Sequence, residues 1–91
     1  MSFQKIIKIK GKEYLLKPSI RENKKYDVYY DTKYIISFGD KRYQHYKDKI
    51  GYYNNLNHND KERRKLYRDR HKNDYINDPN YAGFWSWHYL W

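Results

Sequence analysis

Short apolar runs separated by polar turns fill the first 38 residues, and the pattern changes after them. Phe3 to Ile9 interleaves isoleucines with lysines, Gly11-Lys12 supplies a turn, and Glu13 to Leu16 resumes with Tyr14, Leu15 and Leu16. That arrangement predicts a hairpin. Pro18 and the polar run from Ser19 to Lys24 close it. A second pair follows, in which Tyr26, Val28 and Tyr30 alternate with Asp27 and Tyr29, Asp31-Thr32-Lys33 turns the chain, and Tyr34 to Phe38 returns. The expectation is a twisted antiparallel sheet of three or four strands.

After Gly39 valine disappears and Asn, Asp, Lys, Arg and His take over, which favours helices and ordered loops. From Lys41 to Lys49, Tyr43, Tyr46 and the following Ile50 fall at three- and four-residue spacing before Gly51, predicting a short helix and then a loop from Tyr52 to Asn57. Asn59 has N-cap chemistry, with Glu62 three residues on as its capping-box partner, so a helix is expected from Asp60 to about Lys72. Asp78-Pro79 marks a turn. The stretch from Tyr81 to Trp91 is too apolar for a free tail and too short to span a bilayer. Together these predict an α+β fold: a small N-terminal antiparallel β-sheet packed with a basic helix and an aromatic C-terminal segment. A single domain over residues 1–91 is expected, β-rich over 1–38 and helix and loop over 39–91.

Composition sharpens the picture of the core. A chain of 91 residues supports one hydrophobic core, yet only 38% of its residues are hydrophobic. Its 13 Tyr, 3 Trp and 3 Phe can compensate, because each ring can bury ~150–250 Å². Tyrosine hydroxyls need water or a partner, so many rings should sit half-buried. Cysteine is absent, which rules out disulfides and thiolate metal sites. There is no apolar run long enough for a signal peptide or a membrane span, so neither secretion by that route nor a membrane-embedded role is expected.

Charge points to the partner. Twenty Lys and Arg against 11 Asp and Glu leave a net +9, which favours phosphate-bearing or carboxylate-rich partners. The predicted second helix concentrates that charge. Arg63, Arg64, Arg68 and Arg70, with Lys61 and Lys65, are the candidate contacts to nucleic acid, DNA before RNA, or to acidic protein surfaces. Arginines clamp phosphate oxygens in bidentate fashion, and helical spacing puts Arg64 and Arg68 on one face. Alanine at those two positions is expected to weaken binding and leave folding intact. The competing reading is a solvated helix whose cations pair with Glu62 and Asp69.

Aromatic residues admit more than one use. Tyr43 and Tyr46, set among lysines and an arginine, can stack bases or fill the core. Trp85, Trp87 and Trp91 can pack into the domain's own core, or dock a neighbouring subunit and make a homo- or hetero-oligomer; a third use, touching a membrane interface, lacks a matching amphipathic stretch. His45, His58, His71 and His88 invite a metal-dependent nuclease of the ββα type. Against it, residues from Gly51 to Asn57 separate the hairpins from the helix, and no H-x-x-x-H or carboxylate pair has metal-ligand spacing. With no glycine-rich phosphate loop or nucleophile elbow either, the expectation is a binding protein, not an enzyme, without cofactor or metal.

Phe38-Gly39, then His58-Asn59-Asp60, then Arg63-Arg64 through Tyr67 to Arg70-His71, and last Ala82-Gly83-Phe84-Trp85-Ser86-Trp87 with Leu90-Trp91, occur in a characteristic order. In this the chain resembles a family of small basic proteins of giant eukaryotic DNA viruses and large phages. The resemblance covers roughly residues 24 to 91 and departs from the family in the tyrosine-rich stretch before His58. It implies a virion-associated structural protein, in the virion or the infected cell, that neutralises packaged genome or cements acidic capsid proteins. A non-structural nucleic-acid-binding accessory protein is the alternative.

Overall fold

The computed structural model describes residues 3–91. Four strands, β1 (Lys5–Ile9), β2 (Lys12–Pro18), β3 (Lys24–Tyr30) and β4 (Lys33–Asp40), form one antiparallel meander in the order β1-β2-β3-β4. Lys10-Gly11 joins β1 to β2, one residue earlier than predicted, and Asp31-Thr32 joins β3 to β4. All four turn residues have positive φ, at 50°, 81°, 51° and 64°. This is the mirror-image turn whose twist matches that of a hairpin. Gly11 adopts it freely, whereas β-branched Thr32 adopts it under strain.

Register sets one face of the sheet as the core. Ile7 lies opposite Tyr14, Leu16 opposite Val28, and Tyr26 opposite Phe38, so all six point the same way. Ile50, Phe84, Trp85 and Leu90 complete the buried cluster. Much of it is aromatic. Trp85 is fully buried, 5.3 Å edge-on from Tyr14 and 6.0 Å in a stacked arrangement from Phe38, and its Nε1 donates to the Pro79 carbonyl at 2.7 Å.

Asp27 departs from the simple alternation, which turns it toward the opposite, solvent-side face. It is buried there, because residues 19–21 fold over it. Its carboxylate accepts from Ser19 Oγ (2.6 Å), Ser37 Oγ (2.5 Å) and Arg21 Nη1 (2.8 Å), and that guanidinium lies 3.7 Å over the Tyr34 ring.

Two helices follow, α1 (Lys61–His71) and α2 (Ala82–Tyr89), so the architecture is α+β as the sequence pattern predicts. The aromatic C-terminal segment is α2, which lies on the sheet at β4 and contributes Phe84 and Trp85 to the core, while α1 packs on α2. Gly83 permits the close approach of α2 to the preceding loop, since a Cβ there would collide with the main-chain oxygen of Asp74.

Two local expectations need correction. Residues 41–50 form no helix; they run irregularly beneath the C-terminal segment, with Lys47 N donating to Leu90 O and Lys49 N to Tyr89 O. The next segment then pairs back on them, through His45 N to Leu56 O and His58 N to His45 O, around a single 3-10 turn at Asn54–Leu56. Those tertiary bonds replace the helical ones that the Tyr43, Tyr46 and Ile50 spacing suggested. The N-cap of α1 is Asp60, one residue later than predicted, and its Oδ1 accepts from Glu62 N at 2.9 Å and Arg63 N at 3.3 Å. Asn59 sits at φ 56° and precedes the cap.

Candidate functional site

The basic helix α1 has two faces, neither of them fully buried. Arg64, Tyr67, Arg68 and His71 turn toward the body of the protein and are half-buried; Lys61, Arg63, Lys65, Leu66 and Arg70 are exposed. Tyr67 holds the inner face in place, stacking on Trp91 with ring centroids 4.3 Å apart and planes 5° from parallel, and on His71 at 4.3 Å.

Arg64 and Arg68 share a face, as predicted, but it is the inner one. Arg64 Nε donates to the main-chain oxygen of Trp91 at 2.7 Å, Arg68 Nε to the same oxygen at 3.3 Å, and Arg68 Nη2 to the Trp87 carbonyl at 3.3 Å. The Trp87 carbonyl lies in the last turn of α2, where carbonyls lack intrahelical partners and carry partial negative charge that favours cations, and the Trp91 oxygen lies just beyond that helix. The two guanidiniums also lie over aromatic rings, Arg64 over Tyr46 at 5.0 Å and Arg68 over Trp87 at 4.5 Å. Burial, and then the neighbouring Arg64 charge, push Arg68 below its ordinary value. These arginines hold α1 to the C-terminal segment through their Nε atoms and the Arg68 Nη2.

The outward cations are differently placed. Among the described residues, the ion pairs are Arg21 with Asp27, Arg42 with Asp40 and His71 with Asp74; none involves Lys61, Arg63, Lys65 or Arg70, or their neighbours Glu62 and Asp69. Arg63 donates to Gln44 Oε1 at 3.1 Å, and Arg63 and Arg70 flank a cleft of about 380 Å³ whose walls include Leu66, Asp69 and Trp91.

The candidate aromatics separate by burial. Trp85 is core; Trp87 and Trp91 are half-buried, under Arg68 and against Tyr67 respectively; Tyr46 is half-buried under Arg64. Tyr43 is 63% exposed, so it does not fill the interior.

One constellation gives no signal in the sequence. Lys25, only 2% exposed, places Nζ 2.7 Å from His45 Nδ1, and His45 Nε2 lies 2.6 Å from Asn57 Oδ1. A lysine ammonium only donates and an amide oxygen only accepts, so His45 is neutral with its proton on Nε2. Beside it, Asp48 accepts from the Tyr26 hydroxyl and from the amides of Ile50 (2.8 Å), Gly51 (3.0 Å) and Tyr53 (2.8 Å). Burial pushes Lys25 down to about 8 against the pull of Asp48 and Asp40. Burial and then the Lys25 charge push His45 down to about 4. This network fastens residues 45–57 to β3. Twenty residues separate Lys25 from His45, and no local pattern links them.

The four histidines do not converge. His45 serves the buried network, His58 Nδ1 accepts from the Asp60 amide at 2.9 Å, His71 lies 2.5 Å from Asp74, and His88 lies 2.8 Å from the Ile76 carbonyl. Among the described residues no group of three or more metal-ligating side chains is gathered. Among the described residues no helix is long and apolar enough to cross a membrane. Comparison with protein-family models, curated proteins and solved structures found no match.

Proposed function

We propose that this protein is a non-catalytic binding module that holds a nucleic-acid backbone against the outward face of α1. Lys61, Arg63, Lys65 and Arg70 are the contacts. The observation that carries this reading is that these four cations are exposed and, among the described residues, in no ion pair, along the two edges of a helix whose inner face is fixed by Tyr67, Arg64 and Arg68. A net charge of +9 adds long-range attraction for a polyanion. Nucleic acid is favoured over an acidic protein surface because Arg63 and Arg70 line one cleft and their planar forks suit phosphate oxygens. In the viral setting that the family resemblance implies, such a module neutralises packaged genome, and the protein would be recovered with purified virions in stoichiometric amount.

Salt dependence provides the test. Affinity for DNA, measured by fluorescence anisotropy across a range of salt concentrations, should fall steeply with salt, and each phosphate contact removed should lower the log–log slope by about 1. Gln at Lys61, Arg63, Lys65 and Arg70 should weaken binding across all sequences and flatten that slope. Unchanged affinity and slope in this variant would return the helix to a solvated face.

A further inference from the structure

A second cleft, of about 260 Å³, opens between β4, residues 43–44 and the two helices. We propose that it receives an unpaired nucleobase, so that the protein prefers single-stranded over duplex nucleic acid. The proposal rests on the nucleic-acid reading of α1 and names the form of that partner.

The walls have the chemistry of a base site. Tyr43 offers it an exposed ring, the mutually stacked Tyr67 and Trp91 border it, and Ser86 and Gln44 line it with hydrogen-bonding groups. Flat heteroaromatic bases with polar edges match that combination, since any base can stack on a ring and bond through its rim. Tyr43 is the outer wall. Its ring is mostly exposed. The Gln44 carbonyl oxygen is taken by Arg63, which leaves the amide NH₂ free to donate. Gly39, at φ 76°, forms part of the wall, and a Cβ there would collide with Lys25 Cδ at 2.9 Å and Leu90 Cδ1 at 3.0 Å, so the backbone packs closely against both side chains.

Charge at the rim suits the phosphate that accompanies a base. Lys24 and Asp40 line the cleft, and both Asp40 oxygens are taken by Arg42, at 3.0 and 2.7 Å. Trp91 also lines the neighbouring cleft, in which Arg63 and Arg70 outnumber Asp69. A strand crossing Trp91 can therefore set a base in the first cleft and a phosphate in the second. A duplex cannot do so without unstacking a base, which costs a few kcal/mol.

Three measurements test this together. Anisotropy with a short labelled single strand and with its duplex should give tighter single-strand binding by the wild type. Tyr43→Ala should lose about tenfold in single-strand affinity and leave duplex affinity unchanged, while Tyr43→Phe, which keeps the ring, should retain the preference. Titration of ¹⁵N-labelled protein with dAMP should shift the amides of Gly39, Tyr43, Gln44 and Ser86. Single-strand affinity unchanged in Tyr43→Ala overturns the base site while leaving the α1 reading in place. Shifts with dAMP in a protein that binds neither strand form overturn the α1 reading and leave the base site standing.

Discussion

Replacing Arg64 and Arg68 together with alanine removes the bonds that tie α1 to the end of α2, and the effect on stability can be worked from their geometry. The Arg64 bond, at 2.7 Å to a main-chain oxygen, falls in the charge-assisted class, for which ~1.5–3 kcal/mol is typical. The two Arg68 bonds, at 3.3 Å, lie beyond the usual range for N–H···O and contribute less, roughly 0.5–1 kcal/mol each. Each guanidinium adds ~0.5–1 kcal/mol from its ring, Tyr46 or Trp87. These contributions are not additive, because both arginines share the Trp91 oxygen. A loss of about 3–4 kcal/mol is expected for the double variant, against a typical total of ~5–15 kcal/mol. In a domain of this size that lowers Tm by ~12–30 °C. Helix propensity works slightly in the opposite direction, since alanine is the better helix former. The control is Arg63→Ala with Arg70→Ala on the outer face, which should stay within about 0.5 kcal/mol of wild type. Urea midpoints at constant m-value, with thermal unfolding followed by circular dichroism, read both variants. Equal midpoints for the inner double variant and the wild type, or equal losses for the inner and outer pairs, would refute the division of α1 into a docking face and a binding face.

Three further outcomes follow from the packing. Trp85→Ala should cost ~3–5 kcal/mol by urea denaturation, because it empties the centre of the aromatic core and strands the Pro79 carbonyl, whereas Trp87→Ala at its half-buried site should cost clearly less. Gly83→Ala should destabilise by ~1–3 kcal/mol although alanine favours helix, since its methyl group meets the Asp74 main chain and α2 must shift; a gain in Tm would contradict that contact. Acid should weaken the fold through His45. Its pKa of about 4 in the folded protein lies below the ~6.5 of an unfolded histidine, so the unfolded chain takes the extra proton between those values. That contribution is complete above pH ~6.5 and is lost as pH falls through 4, on the order of 3 kcal/mol at most. His45→Gln should therefore flatten the pH dependence of the urea midpoint between pH ~6.5 and 4 relative to wild type, and an identical slope would count against the buried neutral imidazole.

How much of this was legible in the chain depends on how local each cause is. Alternating faces and two-residue turns sit within a few residues of the strands they organise, so the four-stranded sheet follows from the pattern of Ile7, Tyr14, Leu16, Val28 and Phe38. A capping carboxylate at Asp60 and a run of helix-compatible residues likewise define α1 without distant help, and the displacement by one residue at Asn59 reflects a backbone angle that composition does not encode. Thirteen tyrosines and three tryptophans in so short a chain already imply an aromatic core.

Tertiary structure alone decided the rest. Residues 41–50 carry helical spacing, yet His45 is held by Lys25 and Asp48 by Tyr26 across 20 and 22 positions of sequence, and buried polar groups left without those partners would cost more than a short helix returns. Spacing showed that Arg64 and Arg68 share a face but not which way it points; the carbonyls ending α2 determine that, and they come from a segment more than 18 residues away. The base-sized cleft beside Tyr43 has the same origin. Its walls belong to two strands, a loop and two helices that meet only when the chain is folded, so chemistry carried by residue type was readable from the sequence and chemistry carried by juxtaposition was not.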